Sequence, residues 1–379
     1  MHVLTITPFY PNVADDASGC FVGETNRELE KQGVEGSVIA AHPLHHARLA
    51  AHAEFPATWV RYFSFPGNAG LISAGRFLYL ALRREAARLH GEKRVSLIHA
   101  HAALPCGEAA RMLARDLGVP FVVTVHGLDA FFTTQISGWL GRRCAHSARR
   151  VYEAAERVVC ISRRVAERVH EGAGATEKTR VVYNGVDSAL FTPQGNVVPR
   201  PTILSVGNLI PIKSHALLLH AVAAACVSVP NMFARIIGDG PERLRLGALA
   251  RDLGIAGRVE FLGRQSRREV ARAMREATLF VLPSRYEGLG CVYLEAMASG
   301  IASVACRGQG IDEVIRHREN GWLIEPGNLD ELVAAIRVLF GDPELRQRLG
   351  LAGRRTILDG FTLAHQAQAL AAVYRECVA

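Results

Sequence analysis

Short apolar runs alternate with longer stretches of helical periodicity from one end of this chain to the other, which is the pattern of parallel βα units. In the first half the runs are His2–Thr7, Gly36–Ala40, Val60–Phe63, Leu97–Ala100, Phe121–Val125, Arg157–Ile161 and Arg180–Tyr183. In the second they are Thr202–Val206, Ala234–Gly238, Val259–Leu262, Leu279–Leu282, Ala302–Ala305 and Gly321–Ile324. Between the halves, residues 192–201 hold three prolines and a glycine, which suits an extended linker. A chain of 379 residues exceeds a single hydrophobic core. The expectation is therefore an α/β chain of two doubly wound domains, 1–191 and 202–360, with a last helical segment, 361–379, in which Leu363, Ala367, Leu370, Ala371 and Tyr374 share one face. Open parallel sheets bind ligands beyond the carboxyl ends of their strands, so two facing sheets predict a cleft between the domains.

Bulk properties narrow the partners. Hydrophobic residues make up 49% and charged ones 21%, a globular balance. The net charge of +8, with a pI near 9.3, favours anionic partners such as nucleotide phosphates or an acidic membrane face. Each side of Gly195 carries 22 basic and 18 acidic residues, so no lopsided basic domain points to nucleic acid. The eight cysteines form no C-x-x-C pair and read as small buried hydrophobes in a reducing compartment. The amino terminus leads straight into a strand and no apolar stretch approaches eighteen residues, from which a cytoplasmic protein is expected.

The richest segment is Pro-Ser-Arg-Tyr-Glu-Gly-Leu-Gly-Cys-Val-Tyr-Leu-Glu-Ala-Met-Ala-Ser-Gly, residues 283–300. Pro283 stops the preceding strand, Ser284–Gly290 reads as a loop, and Tyr293–Ser299 as a helix. Glu287 lies in the loop and Glu295 early on the helix. Cβ vectors lean toward a helix N-terminus, so both carboxylates face one crevice above the strand end. Gly288 and Gly290 remove side chains where a ligand approaches backbone, and the first helical amides around Gly290–Val292 offer an anion site. The ligand this describes has a phosphate end and a hydroxyl-rich end.

Other strand ends carry candidate groups. After Thr202–Val206 come Gly207, Asn208 and, six residues beyond the glycine, Lys213, whose ammonium would neutralise a diphosphate. Gly238-Asp239-Gly240-Pro241 reads as a sharp turn opening a helix, in which Asp239 serves equally as turn cap or ligand contact. Gly263 and Arg264 end another strand. In the first half, His126 ends Phe121–Val125 and is followed by Gly127, Leu128 and Asp129; Gly19 lies in the loop after the first strand. His99 and His101 are read as alternating faces, which would keep them from a shared metal.

The segment 283–300 resembles the signature of the retaining glycosyltransferases of family 4, which have the GT-B fold of two Rossmann-like domains. The resemblance spans nearly the whole chain and is strongest over Thr202–Gly327. It implies that Glu287 binds hydroxyls of the donor sugar, that the backbone of Gly288, Leu289, Gly290, Cys291 and Val292 holds the diphosphate beside Ser284, and that Glu295 takes the ribose. The family's Gly-Arg-Leu-x-x-x-Lys-Gly is matched by Gly207 and Lys213, while Asn208 replaces the arginine and Ser214 the second glycine. Gly238 and Asp239 would line the nucleotide site, and Gly263 and Arg264 would meet the base largely through backbone. His126 would stand near the donor sugar, and Gly19 matches the glycine-rich loop bordering donor and acceptor. Asn184-Gly185-Val186-Asp187 also resembles a family motif. The final helix is expected to pack back on the first domain.

The resemblance thus implies transfer of a sugar from a UDP- or GDP-sugar to a saccharide or lipid-linked hydroxyl with retained configuration. Glu287, His126 and Lys213 would stand at the chemistry, domain closure would exclude water, and no cofactor or metal would be required. The segment Gly308–Ile315 looks most like bacterial enzymes of surface polysaccharides, including teichuronic-acid-type transferases. A nucleotide-sugar epimerase of the same fold and a non-catalytic nucleotide-sugar-binding protein are the alternatives. A dinucleotide dehydrogenase is disfavoured, because no Gly-x-Gly-x-x-Gly comes after a strand. Basic residues beside apolar ones over Arg76–Arg88, with Arg142, Arg143, Arg149 and Arg150, read either as an interfacial membrane surface or as ordinary solvated faces.

Overall fold

The computed structural model of the chain describes residues 1–13, 15–45, 52–65, 67, 70–127, 136, 138–174, 177–193 and 200–378. Leu128, Asp129 and the middle of the 192–201 segment lie outside these residues. The chain forms two compact units: Met1–Asn184 with Leu363–Ala379, and Gly185–Thr362.

The first unit is built on seven strands, β1 (His2–Thr7), β2 (Glu35–Pro43), β3 (Thr58–Tyr62), β4 (Leu97–His101), β5 (Phe121–Val125), β6 (Arg157–Cys160) and β7 (Thr179–Val181). Their order across the sheet is β3-β2-β1-β4-β5-β6-β7, all parallel. Helices α1 (Cys20–Lys31), α2 (Leu71–Glu92), α3 (Glu108–Leu117), α4 (Gly138–Ala154) and α5 (Arg163–Ala173) connect them. Every residue of β1, β4 and β5 is buried, as strands covered on both faces must be, which is why they appear in the sequence as mainly apolar runs broken only by small or hydrogen-bonding residues such as Thr and His. The ends of the outer strands differ most from expectation. β2 runs on to Pro43 because β3 pairs with it through Pro43 and Tyr62.

The second unit holds β8 (Thr202–Val206), β9 (Phe233–Ile237), β10 (Val259–Gly263), β11 (Leu279–Val281), β12 (Ala302–Cys306) and β13 (Trp322–Ile324), in the order β10-β9-β8-β11-β12-β13, again all parallel. Its helices are α6 (His215–Ala225), α7 (Arg243–Asp252), α8 (Arg267–Glu276), α9 (Cys291–Ala298), α10 (Leu329–Gly341) and α11 (Pro343–Gly360). Leu218, Leu219, Ile236, Leu279, Val304 and Ile336 are among the fully buried residues of its core.

Helix α12 (Leu363–Val378) belongs to the first unit. Ala367, Leu370, Ala371 and Tyr374 pack there with Val3, Leu97 and Val122. In each sheet the chain builds outward from its first strand and then resumes on that strand's other side. The order therefore reverses between β1 and β4 in the first unit and between β8 and β11 in the second. At such switch points neighbouring connections leave in opposite directions and open a crevice over the strand ends.

Candidate functional site

The switch point of the second unit gathers the charged groups. Beyond β8 the backbone passes Gly207, an exposed Asn208 and a short 3-10 turn, Pro211–Lys213, whose last residue carries the ammonium. Beyond β11 comes the 284–290 loop. The two meet: Lys213 Nζ lies 2.6 Å from Glu287 Oε1, and the Arg285 amide donates to the Ile212 carbonyl at 2.8 Å. Ser284 donates its hydroxyl to the same Oε1 at 2.8 Å. Glu287 is only 7% exposed, so its charge rests on these two donors. Both fall on Oε1; among the described residues Oε2 has no hydrogen-bond partner.

The loop is braced from behind. Gln309 Oε1 accepts the Glu287 amide at 2.8 Å, and its Nε2 donates to the Arg285 carbonyl at 2.7 Å. Gly310 donates its amide to the Glu287 carbonyl at 3.1 Å, and a Cβ on Gly310 would stand 1.8 Å from the Gly288 oxygen. Only a glycine permits that approach. At the loop's far end Gly290 has φ 83° and precedes α9 without offering a side-chain cap. A Cβ there would meet the Tyr293 ring at 2.7 Å. Leu289 is fully buried, whereas Cys291 and Val292 are half-buried at the tip of α9. Tyr293 donates its hydroxyl to the Leu282 carbonyl, tying helix to strand end, and burial with the nearby Glu287 charge holds that phenol well above its ordinary pKa.

Glu295, on the first turns of α9, is 9% exposed and pairs through Oε1 with Arg267, the first residue of α8. Gly238 and Asp239 come after β9, where the Asp239 carboxylate accepts the Gly240 amide at 2.8 Å and so closes its own turn. Gly263, with φ 68°, ends β10 and accepts the Gly238 amide at 2.8 Å; Arg264 beside it is exposed. One group here is unexplained by local bonding. His215, first in α6, is fully buried with neither ring nitrogen partnered among the described residues, and burial beside Lys213 lowers its pKa to about 4.

The first unit has its own cluster at the switch between β1 and β4. His126 comes directly after β5 and is hydrogen-bonded through Nε2 to His101 Nδ1 at 2.9 Å, with rings stacked at 16°. The Phe9 and Phe21 rings lie 5.2 and 5.1 Å from it. Gly19 opens α1 with φ 66°, where a Cβ would strike the Phe9 carbonyl carbon at 2.5 Å. His99 and His101 do not alternate faces as expected. Residues two apart on a strand point the same way, and their ring centroids are 4.3 Å apart. His99 is bonded through Nε2 to Thr124 Oγ1 and through Nδ1 to the Tyr374 hydroxyl of α12, each at 2.7 Å. Burial lowers the pKa of His99 and of His126 to about 3, and burial with two neighbouring imidazoles drives His101 down as well.

Sequence reading missed three contributors: Gln309, Arg267 and His101. For His101 the period-two rule, correctly applied, was signal enough. Gln309 and Arg267 act on partners 22 and 28 residues away, and nothing local marks them.

Comparison with known proteins gives a consistent result. The family model described as Glycosyl transferases group 1 matches residues 189–356, and that described as Glycosyltransferase Family 4 matches 21–190. An uncharacterized glycosyltransferase of Methanocaldococcus jannaschii is 30% identical over 69% of this chain and 70% of its own length. The D-inositol 3-phosphate glycosyltransferase of Acidothermus cellulolyticus is 32% identical over 80% of this chain and 71% of its own. Among solved structures, sucrose-phosphate synthase of Thermosynechococcus elongatus superposes with a TM-score of 0.80 at 20% identity, covering 99% of each chain. The Anabaena protein HepE in complex with UDP gives 0.77 at 19% identity, over 99% of this chain and 100% of that one.

Proposed function

We propose a reaction from one premise: this chain belongs to the family 4 glycosyltransferases of GT-B fold. The reaction is transfer of a sugar from a nucleotide diphosphate-sugar to a hydroxyl acceptor with anomeric configuration retained. The observation that carries it is the Lys213–Glu287 pair at the switch point, beside an uncapped helix tip. In this reading the C1–O bond to the diphosphate breaks as a C1–O bond to the acceptor forms, and the acceptor proton passes to the departing phosphate oxygen. Negative charge builds on the diphosphate, where Lys213 and the amides at the start of α9 would meet it. The sugar hydroxyls would take the open oxygen of Glu287, and the ribose that of Glu295. His126, kept neutral by burial, would orient a hydroxyl without adding positive charge near an oxocarbenium-like sugar.

Donor identity is left to experiment, since relatives point both ways. A Mycolicibacterium smegmatis relative is named as GDP-mannose-dependent, and HepE was also solved with UDP-glucose. A thermal-shift screen of UDP- and GDP-sugars should raise the melting temperature with one series, by mass action. Incubation of that donor with saccharide and lipid-linked acceptors should then give an axial or equatorial linkage matching the donor, read by the anomeric coupling in NMR. An inverted product, or no stabilisation by any sugar nucleotide, contradicts the reading. Donor turnover without acceptor favours the epimerase alternative.

A lipid-linked acceptor in surface polysaccharide or glycolipid synthesis has support from one face of the first unit. Helix α2 exposes Arg76, Leu80, Arg83 and Arg84, and the exposed Phe63 and Phe65 stack 5.0 Å apart, with Phe77 of α2 5.1 Å from Phe63. Aromatic rings beside exposed arginines suit an anionic membrane surface. No described helix is long and apolar enough to cross a membrane. Flotation with phosphatidylglycerol vesicles should carry the protein upward, and Phe63→Ser with Phe65→Ser should leave it at the bottom.

A further inference from the structure

Arg267 meets both a carboxylate and an aromatic ring. An edge of its guanidinium pairs with Glu295 Oε1, and its central carbon sits 5.0 Å from the centroid of the Phe191 ring. Both charged side chains are 12% exposed, and Phe191 is fully buried. The parts around them are fixed. Ser266 and Glu269 form a reciprocal capping box that sets the start of α8, so the Cα of Arg267 has one position. Arg354 donates to the carbonyls of both Phe191 and Ala298, which fastens the aromatic platform to the end of the helix that carries Glu295. A guanidinium held over a ring and bonded through Nη1 to a carboxylate leaves that carboxylate little rotational freedom. Among the described residues, the second oxygen of Glu295 has no hydrogen-bond partner.

Ion pairs this buried contribute little net stability against apolar residues of the same size, so stability alone is weak grounds for one here. We infer that Arg267 is a positioning residue: it holds the Glu295 carboxylate in one rotamer, with Oε2 presented to the ribose hydroxyls of the nucleotide. The inference rests on the proposed reading of Glu295 as the ribose contact. It explains why an arginine serves where a lysine, having no face to stack, would not hold the same geometry.

The test is a thermodynamic cycle between residue 267 and the ribose. Dissociation constants are measured by calorimetry for UDP, GDP and their 2′,3′-dideoxy counterparts, on the wild-type chain and on Arg267→Met, which keeps the stem against Phe191 and removes the charge. The wild type should bind the ribonucleotide about tenfold to a hundredfold tighter than the dideoxy form, the range for a hydrogen bond to a charged group. In Arg267→Met that ratio should fall to roughly threefold or less, with dideoxynucleotide affinity kept within about twofold. A variant that keeps the wild-type ratio overturns the inference, and so does one that weakens both nucleotides equally, which is what a merely structural role gives. Should Arg267→Met not fold, Arg267→Lys retains the charge and is expected to keep no more than about a third of the wild-type ratio; full discrimination there overturns the inference. A wild-type chain that binds neither nucleotide, or binds without ribose preference, instead removes the underlying reading of the donor site.

Discussion

Two donors, Lys213 and Ser284, converge on one oxygen of the buried Glu287, and what each contributes can be read out at single residues. Lys213→Met removes the ammonium and leaves a carboxylate that is 7% exposed facing only Ser284. The expected cost is about 1–3 kcal/mol of stability, below the roughly 3–5 kcal/mol of breaking a fully buried pair, because Lys213 still reaches solvent. Transfer activity should fall roughly a hundredfold or more, the scale of losing one fixed charge at a site of developing charge. Adding Glu287→Gln to Lys213→Met removes the orphaned charge, so melting of the double variant should recover most of the stability while activity stays lost. If both recover together, the pair is a structural ion pair and no more. His215 gives the opposite case. Its imidazole is buried with both nitrogens unpartnered among the described residues, so His215→Leu should leave the melting temperature unchanged or raise it. A marked drop in stability, or loss of nucleotide-induced stabilisation in a folded variant, would show that the ring meets a ligand.

At the scale of elements, the functional loop beyond β11 takes its shape as much from the connection beyond β12 as from its own residues. Gln309 brackets residues 285 and 287, and Gly310 lies so close to Gly288 that any side chain must push the loop away. Gly310→Ala should therefore cost more than about 2 kcal/mol, as overpacking does when the clash is with backbone, and should weaken nucleotide binding with it. Gln309→Leu, nearly isosteric, should instead leave melting within about 1–3 kcal/mol of wild type yet cut activity, because the Glu287 amide loses its acceptor. Activity unchanged in a folded Gln309→Leu chain would refute the bracing role. The elements themselves were legible in the sequence for a definite reason. Strands such as β1, β4, β5 and β12, buried at every position, leave short, mainly apolar runs with no charged residue and no polar face, unlike an amphipathic helix. The 283–300 signature likewise lies within one loop and the helix after it. Gln309 and Arg267 were invisible because a hydrogen bond across the sheet from the next connection has no sequence period. His99 and His101 were misjudged through a wrong period, not through missing information.

At the scale of the whole molecule, the imidazole chain of the first unit links three separate parts of the sequence and makes stability depend on acid. Tyr374 of α12 is bonded to His99, which packs on His101, which is bonded to His126. Burial keeps these rings neutral: His99 and His126 take a proton only near pH 3, and His101 is also held well below its ordinary value. In the unfolded chain each ring protonates near pH 6.5. Between these limits the unfolded state binds more protons than the folded one, so stability rises with pH across the window and is lost as pH falls from about 6.5 toward 3. Each fully buried histidine contributes up to about 1.4 kcal/mol per pH unit there. His126 keeps some contact with solvent, so His99 and His101 should carry most of the effect. Two units need not unfold together, and a single melting temperature would mix them. The appropriate readout is hydrogen exchange of the β4 and β5 amides, with rates corrected for intrinsic pH dependence. Protection should decline from pH 6.5 to pH 4.5 in the first unit more steeply than in the β8 and β11 strands of the second. His99→Phe, which removes one titrating ring, should flatten the decline by roughly one proton's worth even if it lowers protection at neutral pH by orphaning the Tyr374 hydroxyl. An unchanged slope in that variant would mean that the buried chain takes up its protons in the folded state, and the acid dependence must then come from carboxylates elsewhere.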